Sequence, residues 1–187
     1  MTTASKITLL RVLMIPVFVV IMLLDFKYST IIALAVFILA SITDSVDGYI
    51  ARKYNQVSDF GKFIDPLADK LLVMSAMLIL VQWGQMPAWA AIIILAREFS
   101  VTGLRLVAVE SGVVIAAAVS GKIKTFVSIV ALCLMMTPWH DAVLFGPVTL
   151  DMLCVALMLI TTVWSGIEYF VKNWKVLKLE PPAGWKK

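Results

Sequence analysis

Long apolar runs separated by short polar stretches make up most of the chain. Six such runs can be delimited, and they lie near residues 9–24, 30–42, 67–83, 86–107, 125–137 and 148–171. Several approach the roughly 20 apolar residues with which an α-helix crosses the hydrocarbon of a bilayer. The second and fifth runs are shorter. We therefore predict that their helices continue into the polar stretch beside each run, which places charged residues on those helices.

Composition indicates what surrounds these helices. Hydrophobic residues make up 61% of the 187 positions and charged residues only 15%, whereas soluble domains are roughly 45–50% apolar and 25% charged. A chain of this length leaves much of its surface exposed, so a soluble globular protein is excluded and lipid is expected to cover that surface. No repeat, low-complexity segment or linker divides the chain. The sequence predicts one domain, residues 1–187, with an all-α integral membrane fold of six transmembrane helices.

The basic residues predict the orientation of this bundle. Of the 16 Lys and Arg residues, Lys27 alone lies in the connections after the first, third and fifth runs. Basic residues are concentrated on the cytoplasmic side of multi-pass membrane proteins, so both termini are predicted to be cytoplasmic. Membrane lipids with anionic head groups explain the basic carboxyl-terminal tail, and no nucleic-acid partner is implied.

Several aromatic and reactive side chains are assigned no part in the chemistry. Aromatic residues near the predicted helix ends are typical of interfacial belts, and they are Trp83, Trp89, Trp139, Tyr169 and Trp174. Cys133 and Cys154 lie within apolar runs without metal-ligand spacing, so neither a disulfide nor a zinc site is predicted. His140 is expected to be solvated in an outer connection, where Asp141 is its only acidic neighbour.

Four aspartates flank the polar stretch between the second and third runs. Asp44 and Asp47 are three positions apart, and Asp65 and Asp69 are four apart. Two continuous helices would therefore each present two carboxylates on one face. Pro66 leaves another arrangement open, in which Asp65 caps the third helix and Pro66 occupies its first position. Asp65 and Asp69 stay close to one another in both arrangements.

The four carboxylates predict a metal site. Acidic groups that converge at the edge of a membrane repel one another unless they are protonated or hold cations. Oxygen ligands without a nearby His or Cys favour a hard ion such as Mg²⁺ or Mn²⁺. The small residues Gly48, Ala51 and Gly61 leave room for a flat group against the backbone. The alternative is that the aspartates serve as helix caps and as ion-pair partners of neighbouring Arg and Lys residues.

These residues together form a longer pattern, D-x2-D-G-x2-A-R-x8-G-x3-D-x3-D, from Asp44 to Asp69. It resembles the signature of the CDP-alcohol phosphotransferases at every fixed position. The resemblance implies a six-helix membrane enzyme, usually a homodimer, that transfers a phosphatidyl-type group from a CDP-linked donor to an alcohol and releases CMP.

The resemblance also implies roles for individual residues. The ligands of two divalent ions would be Asp44, Asp47, Asp65 and Asp69, and Asp69 would also be the general base. Near the amino end, residues 4–11 resemble a family pattern whose Pro-Asn is missing here, although Thr8 and Arg11 keep their places in it. The positions implied to hold the nucleotide are Thr8, Asp47, Gly48, Ala51, Arg52 and Gly61.

Two further stretches, residues 96–105 and 121–125, resemble the bacterial family members whose acceptor is sn-glycerol 3-phosphate. The cations in these stretches that lie on or beside apolar runs are Arg97, Arg105, Lys122 and Lys124. Cations within a membrane are costly unless they face a cavity and an anion, so these four are predicted to bind the acceptor's phosphate. Glu98 and Glu110 are expected to orient the arginines. Snorkelling toward the membrane surface is the alternative for each cation.

The resemblance therefore implies direct transfer of the phosphatidyl group of CDP-diacylglycerol to glycerol 3-phosphate, which we expect at the cytoplasmic face of the bacterial cell membrane. No Ser, Cys or His beside the carboxylates is a candidate nucleophile, so a covalent enzyme intermediate is not favoured. Two alternatives stay open, which are another acceptor such as inositol phosphate or an amino alcohol, and a cation transporter. A transporter is expected to place its acids in broken spans near the membrane midplane, and the sequence has no such feature.

Overall fold

Six helices account for most of the described chain. The computed structural model describes residues 3–24, 26–54, 59–110, 115 and 118–174, and within them the side chains of residues 3–9, 44–54, 59–67, 69 and 110 lie outside the description. The helices are α1 (Thr3–Leu23), α2 (Ser29–Tyr54), α3 (Asp59–Gln82), α4 (Ala88–Glu110), α5 (Val119–Met135) and α6 (Leu150–Lys172). The prediction of a mainly helical protein is confirmed, and the described residues form as many helices as the sequence predicted.

Two of the helices extend beyond their apolar runs, as predicted. Helix α2 continues past Ile42 to Tyr54, and α5 begins at Val119, before the apolar run that starts at Thr125. Helix α3 begins at Asp59 and runs through Pro66. The alternative in which Asp65 caps this helix is therefore wrong. A proline inside a helix removes one backbone hydrogen bond, and α1 likewise contains Pro16.

The connection between α5 and α6 departs from the all-α prediction. Strands β1 (Val143–Phe145) and β2 (Val148–Thr149) form a short antiparallel hairpin. Gly146 turns the chain with a φ of 54°, which glycine adopts without the steric penalty of a side chain. Thr149 then caps α6, because its hydroxyl accepts a hydrogen bond from the backbone N–H of Met152.

The same connection also corrects the expectation for His140. Its Nδ1 lies 2.9 Å from Oδ2 of Asp151 in the first turn of α6. The backbone N–H of Asp151 donates to the carbonyl of His140 at 3.0 Å. The histidine therefore has an acidic partner that is distant in sequence, which the hairpin brings back beside it.

Packing joins the helices into two groups. Helix α1 packs against α2 and α3, while α6 packs against α5 and α4. Contacts of α3 with α4 and α5 connect the groups. The main core contains Phe18 and Phe37, whose ring centroids lie 5.7 Å apart. A smaller apolar cluster, formed by Val101, Leu104 and Tyr169, lies between α4 and α6.

Every helix also exposes large apolar side chains, among them Leu13, Leu39, Leu78, Ile92, Phe126 and Ile160. Within the described residues, α6 alone is long and apolar enough to cross a membrane by length and composition. Helix α4 carries Arg97 and Glu98 near its middle and Arg105 closer to its carboxyl end, and α5 has only 17 residues. The crossing of a membrane by all six helices therefore stays a prediction.

Candidate active site

The four aspartates of the sequence pattern lie on two neighbouring helices. Asp44 and Asp47 are in the second half of α2, and Asp65 and Asp69 are in the first half of α3. The two helices contact each other, and only residues 55–58 separate them in the chain. Both stretches are continuous helix, which is the condition under which each pair shares a face. The four side chains themselves lie outside the described residues.

The residues predicted to hold the nucleotide lie on three different helices. Gly48, Ala51 and Arg52 belong to α2, Gly61 belongs to α3, and Thr8 belongs to α1, and their side chains also lie outside the description. Among the side chains that the structure does describe, no group of three or more His, Cys, Asp or Glu could hold a metal ion. The predictions for the metal and nucleotide sites thus stay predictions.

A cavity of about 690 Å³ lies between α3, α4, α5 and α6. Apolar side chains form much of its wall, and five charged residues line it together with Tyr169, namely Lys70, Arg97, Glu98, Arg105 and Lys122. Three of the four cations predicted to bind the acceptor's phosphate therefore face one space. Lys124 is the exception, because its buried side chain lies beside a second, much smaller cavity of about 30 Å³.

Glu98 connects two of these cations. Nη1 of Arg97 donates to Oε1 of Glu98 at 2.8 Å, and Nζ of Lys124 donates to the same oxygen at 3.0 Å. Glu98 is thus in contact with an arginine on its own helix and a lysine on α5. The expected partner for Arg97 is present, whereas the Glu110 side chain lies outside the described residues. One carboxylate between two cations leaves a net positive charge in the cluster.

Lys70 links the helix of the aspartates to the cavity. It directly follows Asp69 in α3, and its Nζ donates to the carbonyl of Glu98 at 3.3 Å and to the hydroxyl of Thr102. Lys70 is one of the neighbouring Arg and Lys residues that the sequence analysis considered as ion-pair partners of the aspartates. Its position next to Asp69 could have indicated that Lys70 belongs to the site. Its contact with α4 could not be predicted, because that contact depends on how α3 and α4 pack.

Helix α6 contributes two residues that the sequence did not assign to the site. Nε of Arg105 donates to the hydroxyl of Tyr169 at 2.8 Å. Tyr169 is only 3% exposed, so its assignment to an interfacial aromatic belt is wrong. One turn earlier, a Cβ on Gly166 would lie 3.2 Å from Cγ of Arg97. The missing side chain at Gly166 therefore lets Arg97 lie against α6.

Comparison with known proteins identifies the family to which the chain belongs. Residues 1–165 match the family model described as CDP-alcohol phosphatidyltransferase. The chain belongs to that family. The match covers the aspartate pattern, the charged stretch of α4 and the amino-terminal part of α5, but it ends before Tyr169.

Curated relatives narrow the comparison within the family. The chain is 48% identical to the CDP-diacylglycerol–glycerol-3-phosphate 3-phosphatidyltransferase of Bacillus subtilis, with 93% of this chain and 96% of the relative covered. The enzyme of the same name from Salmonella typhimurium is 37% identical, with coverages of 88% and 91%. A probable phosphatidylglycerophosphate synthase of Mycobacterium tuberculosis is 39% identical, with coverages of 90% and 80%.

Proposed function

We propose that the protein transfers the phosphatidyl group of CDP-diacylglycerol to sn-glycerol 3-phosphate, with phosphatidylglycerophosphate and CMP as products, in anionic phospholipid synthesis. The observation that carries this proposal is the 48% identity to a relative with that enzyme name over nearly the whole of both chains. The related acceptor inositol phosphate is the second candidate. The relatives' names favour glycerol 3-phosphate.

The charged cavity supports an acceptor that carries phosphate. Arg97, Arg105 and Lys122 line it, and among the described residues the buried Nε of Arg97 has no hydrogen-bond partner. That nitrogen lies against Gly166 of α6, so in this proposal a phosphate in the cavity would bind the terminal nitrogens of Arg97 rather than its Nε. Arginine can bind phosphate through two N–H groups, whereas lysine acts as a point charge. In this proposal Lys124 contributes to phosphate binding through Glu98.

The aspartates fit a pair of divalent ions by their chemistry. Asp44, Asp47, Asp65 and Asp69 supply only oxygen ligands, which suit Mg²⁺ or Mn²⁺. When bound, the two ions would stabilise negative charge on the donor's pyrophosphate and on the departing CMP. The cytidine nucleotide itself is assigned to Thr8, Asp47, Gly48, Ala51, Arg52 and Gly61.

The chain's own residues would then carry out the proton transfer. Asp69 is assigned the removal of the proton from the acceptor's primary hydroxyl, which makes that oxygen the nucleophile. Lys70, the next residue, lines the cavity and contacts α4. The base and the cavity are therefore joined through adjacent residues of one helix. This connection supports a reaction in which the acceptor's phosphate lies in the cavity while its hydroxyl approaches Asp69.

The decisive experiment measures CMP release from CDP-diacylglycerol by the purified protein in the presence of different acceptors. We expect release with glycerol 3-phosphate and little with glycerol, which has the same hydroxyl but lacks the phosphate. Inositol phosphate and serine complete the panel. Faster release with either of these would replace the proposed acceptor, and no release with any of them would contradict the enzyme assignment.

We also propose that the protein is a homodimer that spans the bacterial cell membrane with all six helices. The exposed apolar side chains on every helix support this arrangement, and the basic residues support cytoplasmic termini and a cytoplasmic active site. Cysteine introduced at Gln85 or Asp141 should react with an impermeant reagent in intact cells, while cysteine at Gln56 should not. Labelling at position 56 from outside would reverse the orientation.

A further inference from the structure

Helix α6 contacts Arg105 from one side. Its Nε donates to the Tyr169 hydroxyl at 2.8 Å, and its guanidinium carbon lies 5.5 Å from the centroid of the same ring. The tyrosine hydroxyl and ring face thus both contact the guanidinium. An arginine over the face of an aromatic ring gains a cation–π interaction in addition to the hydrogen bond.

Tyr169 is itself fixed in place. Its side chain is buried in the cluster with Val101 and Leu104 of α4. A buried aromatic ring in a packed cluster has little rotational freedom. The hydroxyl that accepts from Arg105 is therefore in a defined position at the wall of the cavity.

The contact with Tyr169 uses only one of the three nitrogens of the Arg105 guanidinium. Arg105 lines the cavity and is exposed to it. Within the described part of the chain, the structure records no hydrogen bond or ion pair for its Nη1 or Nη2. A guanidinium has four N–H donors on these two atoms. Since Tyr169 occupies Nε, the remaining donors can face an anion in the cavity.

We infer that Tyr169 is a positioning residue that holds Arg105 in the orientation in which it binds the acceptor's phosphate. The inference rests on the proposed function, since the phosphate concerned is that of glycerol 3-phosphate. A long flexible side chain loses conformational entropy when a ligand immobilises it. Tyr169 orders Arg105 before binding, so binding of the acceptor requires less ordering. The family match ends at residue 165, and Tyr169 lies beyond it.

Kinetics of Tyr169→Phe test this inference. The substitution keeps the ring and removes only the hydroxyl, so we expect the protein to stay folded with at most a small decrease in its melting temperature. A hydrogen bond of a charged donor is strong enough for its loss to raise the KM for glycerol 3-phosphate about 10-fold. The KM for CDP-diacylglycerol should stay unchanged. Tyr28→Phe is the matched control, because Tyr28 is exposed in the connection between α1 and α2, and it should alter neither constant.

A double substitution shows whether Tyr169 acts through Arg105. Arg105→Gln alone should reduce kcat/KM for the acceptor about 10- to 150-fold, as expected for the loss of a charged hydrogen bond. Adding Tyr169→Phe to Arg105→Gln should then have no further effect, because residues that act as a unit are not additive.

The inference would be overturned if Tyr169→Phe had its full effect in the Arg105→Gln background. It would also be overturned if Tyr169→Phe raised the KM for glycerol 3-phosphate and the KM for CDP-diacylglycerol equally, or if its kinetics matched those of Tyr28→Phe. The proposed function fails separately, if the unaltered protein does not use glycerol 3-phosphate at all.

Discussion

Replacement of Asp69 by asparagine is expected to lower the rate of CMP release by about 10²- to 10⁴-fold, the usual contribution of a general base. Asparagine has nearly the same size but cannot accept the proton of the acceptor's hydroxyl. Added Mg²⁺ or Mn²⁺ should not restore activity, because the missing function is proton removal. The measurement is initial CMP release at increasing metal concentration, with folding checked by the melting temperature.

The other three aspartates provide a contrast. Asparagine at Asp44, Asp47 or Asp65 should also reduce activity, but with a changed dependence on metal concentration, because the amide is a weaker and neutral metal ligand. Asp141→Asn is a suitable control, since Asp141 lies in the turn before the hairpin. Near-normal turnover of any of the four variants would remove the role assigned to that residue.

Glu98→Gln is expected to have the largest effect on stability. The substitution preserves shape but removes the charge that accepts from Arg97 and from the buried Lys124. Removal of one partner from a buried ion pair leaves the other charge uncompensated and costs about 3 kcal/mol or more. Unfolding of the purified protein in mixed micelles with increasing denaturing detergent measures this loss.

Two further variants test whether the loss of stability in Glu98→Gln comes from the uncompensated charge of the buried Lys124. In Glu98→Gln/Lys124→Met the uncompensated lysine is gone while its apolar stem is retained, so much of the lost stability should return. Glu168→Gln makes the same change at a glutamate whose partner Lys172 is 64% exposed, and stability should change little because water screens such pairs. An equal loss in Glu98→Gln and Glu168→Gln would argue against a special role for the buried pair.

The helices could be predicted from the sequence because their signals are local. The length of an apolar run and the spacing of charged residues beside it act within a few turns of one helix. The predicted continuation of the second and fifth helices into polar sequence is confirmed, since α2 extends to Tyr54 and α5 begins at Val119. The hairpin at Val143–Phe145 was missed, since its pairing depends on a short strand that returns across Gly146.

The candidate site was also predictable from the sequence only in part. Its charged residues are contained in sequence patterns, and the aspartate spacing between Asp44 and Asp69 already points to the family that the comparisons confirm. The convergence of Arg97, Arg105 and Lys122 on one cavity is visible only once α4 and α5 are packed with α6. The roles of these residues with substrate stay predictions.

The sequence by itself therefore determined the helical class of this protein, its family and its candidate chemical groups. Tertiary structure decided how those groups are held. Arg105 and Tyr169 are 64 positions apart, and Lys124 lies 26 positions from Glu98. The spacing of residues within one helix cannot predict such pairs. They form only when side chains on separate helices pack together. Tyr169 was expected to be a surface aromatic residue, but it is buried between helices and accepts a hydrogen bond from Arg105.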